Sequence, residues 1–427
     1  MIDTIFALSS GPAPAGIAVI RISGPGAGPA LRALAGRLPA PRTASVALLT
    51  DSADGAPLDR ALLLWLPGPN TVTGEDVAEI HCHGGRAVIA GIEEALGGLK
   101  GLRRAAPGEF TRRAFENGRM DLNAVEGLAD LLAAETRTQR RAALAMTEGH
   151  FSRRVDHWRL ALLDLSAMAE AAIDFSDEDD VPGEDVERRI AGGLEHLAED
   201  CAKMLAVPTA DRLKDGVRVV LAGPPNAGKS TLLNALVGRE AAIVSDMAGT
   251  TRDRIEVPVA IEGVAFLFMD TAGLREDGAD RIEAIGIDRA RAAIDAADIV
   301  LWLGSPSQLP RKDAVAIAAQ SDRYDRSDQP GLALSAKTGS GLDSLRAVLL
   351  DRARALLPAE GDFALHRRQR DMVEIMLQHL RQAARAMDAL IRAEELRQAR
   401  RMVDALTGQA GTEDMLDRLF AGFCIGK

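Results

Sequence analysis

An apolar run, Val217–Ala222, leads straight into GPPNAGKS, Gly223–Ser230, and a helical pattern follows from Thr231 to Val237. This is the strand–GxxxxGK[ST]–helix arrangement that cradles nucleotide phosphates. Its glycines let backbone N–H groups curl around phosphate oxygens, and the helix N-terminus adds positive potential. In that arrangement Lys229 bridges the β- and γ-phosphates and Ser230 ligates Mg²⁺. A second apolar run, Val264–Met269, ends in DTAG, Asp270–Gly273. There Asp270 is placed to hold the magnesium shell, and the Gly273 N–H to sense the γ-phosphate. Between the two, AGTTRD, Ala248–Asp253, offers Thr250 or Thr251 to the metal from a loop.

Selecting guanine takes a carboxylate that accepts from both N1–H and the N2 amino group. The strand-like Ala314–Ala319 is followed by Gln320, Ser321 and Asp322. Asp322 therefore stands at the acidic position of an N/T-K-x-D loop whose first two positions are Ala319 and Gln320. Asp325 is a second candidate. The tripeptide Ser335, Ala336, Lys337 follows the strand-like Leu332–Leu334 and could bring a backbone N–H to guanine O6. Guanine preference with weakened affinity is the expectation. GPPNAGKS, the paired threonines and DTAG, in this order, resemble the Ras-like GTPase superfamily. Such switches place a Gln after DTAG to orient the attacking water, but this chain has Leu274 there. Local sequence leaves three substitutes open: Arg275 as a built-in cation, Glu283 to orient water, and Asn226, whose amide oxygen lies near the β/γ bridge where a monovalent cation could sit.

These residues need elements to hold them. The first ~118 residues alternate short apolar runs with Gly/Pro turns, which predicts strands at Ile17–Ile22, Val46–Thr50, Ala61–Leu66 and Val77–His83. Short helices are expected at Ala87–Leu96 and Phe110–Asn117, making a compact α+β unit. From Asp121 the spacing turns helical, through Leu122, Val125, Leu128 and Leu132 and on to Leu160, Leu163 and Met168. An acidic break, Asp177–Asp185, precedes a second helix to about Leu205, and Val207–Gly216 reads as a linker. An α/β pattern runs from Val217 to about Leu357. Beyond Pro358 a helical stripe of Met372, Ile375, Met376, Leu380, Ala383, Met387, Leu390 and Ile391 resumes. The simplest packing joins the two helical regions into one domain with the α/β unit inserted between its halves.

Composition narrows the class. The 427 residues are 47% hydrophobic and 26% charged, with net charge −11, a globular chain unsuited to coating nucleic acid or anionic membrane. Cys82, Cys201 and Cys424 are too few and too far apart for a disulfide framework, so a reducing cytoplasm is expected. With Asp3 and no basic n-region at its start no signal peptide is expected, and no apolar run reaches about 18 residues. Seven lysines stand against 44 arginines, and three of the seven are Lys229, Lys337 and Lys427. His81, Cys82 and His83 look like metal ligands, but neighbouring strand residues point to opposite faces, so no metal is expected there. The basic clusters Arg137–Arg141, Arg153–Arg154 and Arg367–Arg370 read as solvated helix faces before tRNA or partner contacts, because they lack interleaved aromatics.

The stretches DTIFALSSGPAPAGIAVIRISG, GPNTVTGEDVAEIHCHGG at Gly68–Gly85, PGEFTRRAFENGRMDL at Pro107–Leu122, IVSDMAGTTRD and the terminal FCIGK resemble the bacterial tRNA modification GTPase family along essentially the whole chain. That resemblance implies a multidomain homodimer. Its parts are an α+β N-terminal domain for tetrahydrofolate binding and dimerisation (1–118), an all-α helical domain in two halves (119–213 and 358–427) and an inserted Ras-like α/β P-loop GTPase domain (214–357). It implies a cytoplasmic GTP hydrolase that, with the flavoprotein MnmG carrying FAD, adds an aminomethyl or carboxymethylaminomethyl group at C5 of the wobble uridine of certain tRNAs. The one-carbon unit would come from a tetrahydrofolate derivative of the 5-formyl or 5,10-methylene type.

Carried over residue by residue, Asn226, Ser245, Met247 and Thr250 match K⁺ ligands, the last three through a loop that also brings Asp246, Ala248 and Gly249 to GTP. Ser230 and Thr251 match Mg²⁺ ligands. Ala227, Gly228, Lys229, Thr231, Asp270, Thr271, Ala272, Gly273, Asp322, Ser335, Ala336 and Lys337 match further GTP contacts. Glu283 matches the residue that orients the attacking water, which favours it over Arg275. Arg21, Glu79, Arg119 and Lys427 match folate contacts, with Arg119 where a Lys is also used, and Cys424 matches a candidate one-carbon site. A GTP-regulated RNA or ribosome-assembly switch is the alternative, but it would need a basic RNA-binding domain that this sequence lacks.

Overall fold

The computed structural model describes residues 3–174, 183–238, 241–242, 256–270, 280–324, 330–359, 363–408 and 413–426. The chain divides into two compact units: Met1–Ala129 with Asp404–Lys427, and Asp130–Val403. No helix among the described residues is long and apolar enough to cross a membrane.

The first unit is built on β1 (Thr4–Leu8), β2 (Ala15–Ser23), α1 (Ala27–Ala35), β3 (Ser45–Thr50), β4 (Pro57–Leu66), β5 (Val77–Gly84), α2 (Arg86–Gly97), β6 (Leu102–Arg104), α3 (Glu109–Glu116) and the start of α4 (Leu122–Ala133). Its six strands lie in the order β3-β4-β5-β2-β1-β6, antiparallel except for the last pair. Alternation sorts the sheet. Ala18, Ile20 and Ile22 of β2, Ala61 and Leu63 of β4 and Ala78, Ile80 and Cys82 of β5 point into a core shared with α1 and α2. The opposite residues, Ile17, Arg21, Glu79, Val46 and Leu48, face the other side, and Ile17, Val46 and Leu48 are exposed there. Strand β1 escaped the sequence pattern because Ile5, Phe6 and Ala7 are all buried, so no alternation marks it.

The second unit begins with α5 (Arg137–Thr147), α6 (His150–Asp174), α7 (Gly183–Ala206) and α8 (Ala210–Asp215). It continues through β7 (Val217–Ala222), α9 (Lys229–Val237), β8 (Ala241–Ala242), β9 (Glu256–Ile261), β10 (Val264–Asp270), α10 (Asp280–Ala296), β11 (Ile299–Trp302), β12 (Val315–Ala318), β13 (Leu332–Ala333), α11 (Leu342–Leu356), α12 (Arg367–Arg385) and α13 (Ala389–Thr407). The chain then returns to the first unit in α14 (Glu413–Ala421). The sheet runs β13-β12-β11-β7-β10-β9-β8, parallel from β13 to β10. Val217, Val219 and Leu221 pack with α9 and α11, while Val220 and Ala222 pack on the opposite face with Ala293 and Ile294 of α10. A parallel sheet covered on both faces reads as a continuous apolar run, which is what Val217–Ala222 displays.

Two expectations change. Val207–Gly216 is not an open linker: α8 occupies it, held by the Ala210 N–H donating to Leu365 O at 3.0 Å and by Arg212 paired with Asp298 at 3.0 Å. The C-terminal stripe is also revised. Val373, Met376, Leu377, Leu380 and Ala383 are the buried line of α12, whereas Ile375 is 41% and Met387 97% exposed. The helix ends at Ala386 in an extended conformation, so the spacing that ran through Met387 to Ile391 joins two separate helices.

Candidate functional site

The phosphate loop forms where β7 gives way to α9. Gly228 caps α9 with φ +94°, and Asn226 has φ +59°, a left-handed conformation that Asn tolerates better than most side chains. Lys229 is only 6% exposed, and its ammonium donates to Gly223 O (3.1 Å) and Pro224 O (2.9 Å). Two carbonyls thus hold the charge beneath the loop. Strand β10 runs parallel beside β7, pairing Asp270 with Leu221. That register brings the Ser230 hydroxyl to within 2.5 Å of Asp270 Oδ2. A hydroxyl and a carboxylate converging at a helix N-terminus are the hard oxygen donors that Mg²⁺ takes alongside phosphate.

The base end is assembled from β12 and β13. Gln320, at φ +60°, stands at the lysine position of the usual loop and donates from Nε2 towards Asn226 O at 3.4 Å. It thereby spans from the base loop to the phosphate loop. The Ser335 hydroxyl, fully buried, donates to Asp322 Oδ1 at 2.7 Å. That hydrogen bond, aided by the charges of Arg323 and Lys337, holds the Asp322 carboxyl below its ordinary range, so it stays an acceptor. Ala336 packs against the core beside it. Ser245, Asp246, Met247, Ala248, Gly249, Thr250, Thr251, Thr271, Ala272, Gly273, Arg275 and Asp325 lie outside the described residues. Glu283 falls within α10, with its side chain outside the description.

In the first unit, cross-strand pairing of β2 with β5 sets Arg21 opposite Glu79. The guanidinium reaches Glu79 Oε1 from Nη2 at 2.9 Å and from Nε at 3.0 Å, while His81 Nε2 lies 3.2 Å from Oε2. Burial works to raise the Glu79 pKa, but the Arg21 charge and the hydrogen bonds from His81 and Arg21 outweigh it and keep the carboxyl below its ordinary value. Arg21 also sits 6.0 Å over the ring of Phe110. Arg119 is held by its backbone N–H donating to Ala114 O at 2.8 Å, and its side-chain methylenes approach Gly74. The neighbouring histidines do not converge with the cysteine. Cys82 turns into the core, its thiol pushed up to about 11 by burial and by the Asp59 charge, and His83 pairs with Asp59 at 2.8 Å.

The C-terminal tail docks on the same unit. Ser9 Oγ donates to Gly426 O at 2.9 Å, one step past β1, where Ala7 pairs with Arg21. Cys424 is exposed there, and Lys427 lies outside the described residues. Gly426 has φ +93°, and a Cβ on it would meet Leu8 O at 2.1 Å. Gly426→Ala is therefore expected to undock the tail while the sheet remains folded. Strain of about 1–3 kcal/mol for a non-glycine residue in this region makes the docked tail about 5- to 150-fold less populated. Hydrogen exchange at residues 424–426 beside thermal unfolding would check it, and wild-type protection of those residues would overturn it.

Sequence reasoning thus named residues that the structure brings together at both ends of the candidate nucleotide site: Lys229, Ser230 and Asp270 at one, Asp322 and Ser335 at the other. It missed Gln320 as a bridge, and His81 and Phe110 as the neighbours of Glu79 and Arg21. The register of β2 against β5 is the signal that finds the latter two, and no local motif carries it.

The sequence profile of the MnmE helical domain matches residues 122–424, and that of the GTP-binding protein TrmE N-terminus matches residues 4–119. The tRNA modification GTPase MnmE of Novosphingobium aromaticivorans is 57% identical over 437 aligned residues, covering all of both chains. The protein of the same name from Rhizorhabdus wittichii is 58% identical over all of this chain and 97% of its own. That from Sphingopyxis alaskensis is 55% identical over 96% of this chain and all of its own. A Ser–Asp oxygen pair beneath a lysine-bearing phosphate loop, an Arg–Glu pair across β2 and β5 and full-length identity above one half agree: the chain belongs to the MnmE family of tRNA modification GTPases.

Proposed function

We propose that this chain is a potassium-dependent GTP hydrolase that works in the cytoplasm with the flavoprotein MnmG. Together they would form the aminomethyl or carboxymethylaminomethyl group at C5 of the wobble uridine, position 34, of certain tRNAs. The one-carbon unit comes from a tetrahydrofolate derivative, and FAD resides on the partner. The observation that carries the hydrolase assignment is the 2.5 Å approach of Ser230 to Asp270 beside the buried Lys229.

Mg²⁺ and K⁺ would supply positive charge to the β- and γ-phosphates, with Ser230 and Thr251 toward the first and Asn226, Ser245, Met247 and Thr250 toward the second. The protein's own groups do the rest. Lys229 exchanges two carbonyls for phosphate oxygens, Asp270 fixes the Ser230 hydroxyl, Glu283 orients the attacking water, and Asp322 accepts from guanine. In the first unit Arg21, Arg119 and Lys427 offer cations to the folate glutamate tail, and Glu79 accepts pterin N–H donors. Cys424 is the candidate group near the one-carbon unit.

The open sheet face that carries Ile17, Val46 and Leu48 supports self-association of the N-terminal domain across the face holding Arg21 and Glu79. The division 1–118, 119–213, 214–357 and 358–427 into folate, helical, GTPase and helical parts goes with this reading. No observation favours an RNA or ribosome-assembly switch.

The test is GTP hydrolysis in KCl against NaCl at equal ionic strength with Mg²⁺ present. A positive charge placed at the β/γ bridge is expected to raise the rate about tenfold or more in KCl. Asn226→Ala should lose that preference while binding nucleotide nearly as well. Equal wild-type rates in the two salts would remove the potassium site and turn attention to Arg275.

A further inference from the structure

The first turn of α5 carries polar groups that bond to one another, to the end of α8 and to the turn between β9 and β10. Thr136 is the N-cap of α5 and forms a capping box with Gln139: Thr136 Oγ1 accepts from the Gln139 N–H at 3.3 Å, and Gln139 Oε1 accepts from the Thr136 N–H at 2.9 Å. Gln139 Oε1 accepts a second bond, from the Glu135 N–H, also at 2.9 Å. Its two amide hydrogens then reach away from the helix, to Leu213 O at 3.1 Å and Lys214 O at 3.2 Å. Those are last-turn carbonyls of α8, which have no intrahelical partner of their own. One side chain thus uses its full hydrogen-bonding capacity to join the start of one helix to the end of another.

Thr138 does the same toward β10. Its hydroxyl donates to Gly263 O at 3.0 Å and its backbone N–H, one of the orphan donors of the first turn, points at the same oxygen at 3.4 Å. Gly263 and Glu262, both at positive φ (+85° and +48°), form the two-residue turn between β9 and β10. A Cβ on Gly263 would sit 3.3 Å from Arg137 Cβ, so the turn is seated closely on the helix.

Both grips fall on strands that carry the nucleotide site. Helix α8 feeds β7, which ends in the phosphate loop, and the Gly263 turn feeds β10, which ends in Asp270. The two strands are parallel neighbours, so α5 holds both at the end opposite the phosphates, roughly 20 Å away by strand rise. Any slide of β10 against β7 at the phosphate end must be taken up at Thr138 and Gln139, since paired strands are stiff along their length.

We infer that Thr138 and Gln139 are positioning residues that couple the nucleotide state of the α/β part to the helical part, and that tRNA modification depends on this coupling while GTP hydrolysis does not. This rests on the reading of the chain as a GTP hydrolase in a tRNA-modifying complex.

Substitutions can separate coupling from folding. Gln139→Glu keeps an acceptor at the third helical position, and hence the capping box, but removes both donors to α8. Thr138→Val removes one hydroxyl of nearly equal volume, and Thr138→Ser restores it. With the full chain, MnmG and tRNA, the Thr138→Val/Gln139→Glu double variant should hydrolyse GTP within twofold of wild type. It should yield at least tenfold less modified tRNA per GTP consumed, and Thr138→Ser should behave as wild type. Hydrogen exchange at residues 136–140 should differ between GDP and a non-hydrolysable GTP analogue in wild type, and that difference should vanish in the double variant.

Wild-type yield per GTP in the double variant would overturn the inference. So would a parallel fall of hydrolysis, yield and melting temperature, which marks a purely structural role. A wild-type chain that hydrolyses no GTP would instead overturn the functional reading, and the exchange comparison would still decide whether α5 senses the nucleotide.

Discussion

Lys229→Met should leave a folded protein that hydrolyses GTP roughly 10²–10³-fold more slowly than wild type, the loss typical of removing one preorganised donor at developing charge. The expectation follows from where the ammonium already sits. It is 6% exposed and held by the carbonyls of Gly223 and Pro224, so it is desolvated before phosphate arrives. Methionine keeps the stem and its packing but offers nothing to the phosphates, and it leaves both carbonyls short of a donor. Lys229→Arg should fail almost as badly, because a planar fork cannot occupy a pocket shaped for a compact ammonium. In a chain with 44 arginines, a lysine retained here is what that geometry demands. Phosphate-release rates together with binding of a fluorescent GDP analogue would check both variants. Hydrolysis by Lys229→Met within tenfold of wild type would mean that the phosphates bind elsewhere.

Glu283→Ala is the second large effect expected, and its signature differs. A residue that only orients water should cost about 10²-fold or more in the chemical step and nothing in nucleotide affinity. Single-turnover hydrolysis should therefore slow while GTP and GDP affinities hold. Glu283 belongs to α10, which packs on Val220 and Ala222 through Ala293 and Ile294. The helix is thus anchored to the strand that bears the phosphate loop, and its N-terminal turns follow the DTAG segment. Wild-type turnover in Glu283→Ala would shift the role to Arg275, and Arg275→Ala should then show the loss.

The candidate nucleotide site was legible because its chemistry is local. Gly223 to Ser230 form one contiguous loop, and Asp270 ends the strand that sequence spacing marks, so a single register of β7 on β10 brings Ser230 and Asp270 together. Strand β7 was found at both of its ends because a strand buried on two faces between helices reads as unbroken apolar residues. The Arg21–Glu79 pair was not legible from spacing. Its members are 58 residues apart, and only the β2–β5 register makes them neighbours. Helix α8 was misread as linker because six residues are too few to show a period, and Pro208 just before it looks like a break. The stripe through Met372 and Ile375 failed by one position. Helix α12 turns Val373 and Leu377 inward, and continuing the spacing past Ala386 joined two helices into one. Thr138 and Gln139 were hidden among arginines, where the charges drew attention and the uncharged residues made the contacts.

The first compact unit takes in residues 404–427 as well as 1–129. On a ribosome adding about 5–20 residues per second, the roughly 270 residues between them take some 15–55 seconds to emerge. Throughout that interval Gly108, whose added Cβ would lie 2.4 Å from Phe420 O, faces an empty place, and Val125 lacks Phe420 and Phe423. Nascent chains must carry this half-built surface past the chaperones. A messenger cut short between α13 and α14 yields a protein whose second unit is complete and can finish folding and whose first unit cannot. Such fragments should be recognised by the cell as misfolded at their beginning, although the missing residues are at their end.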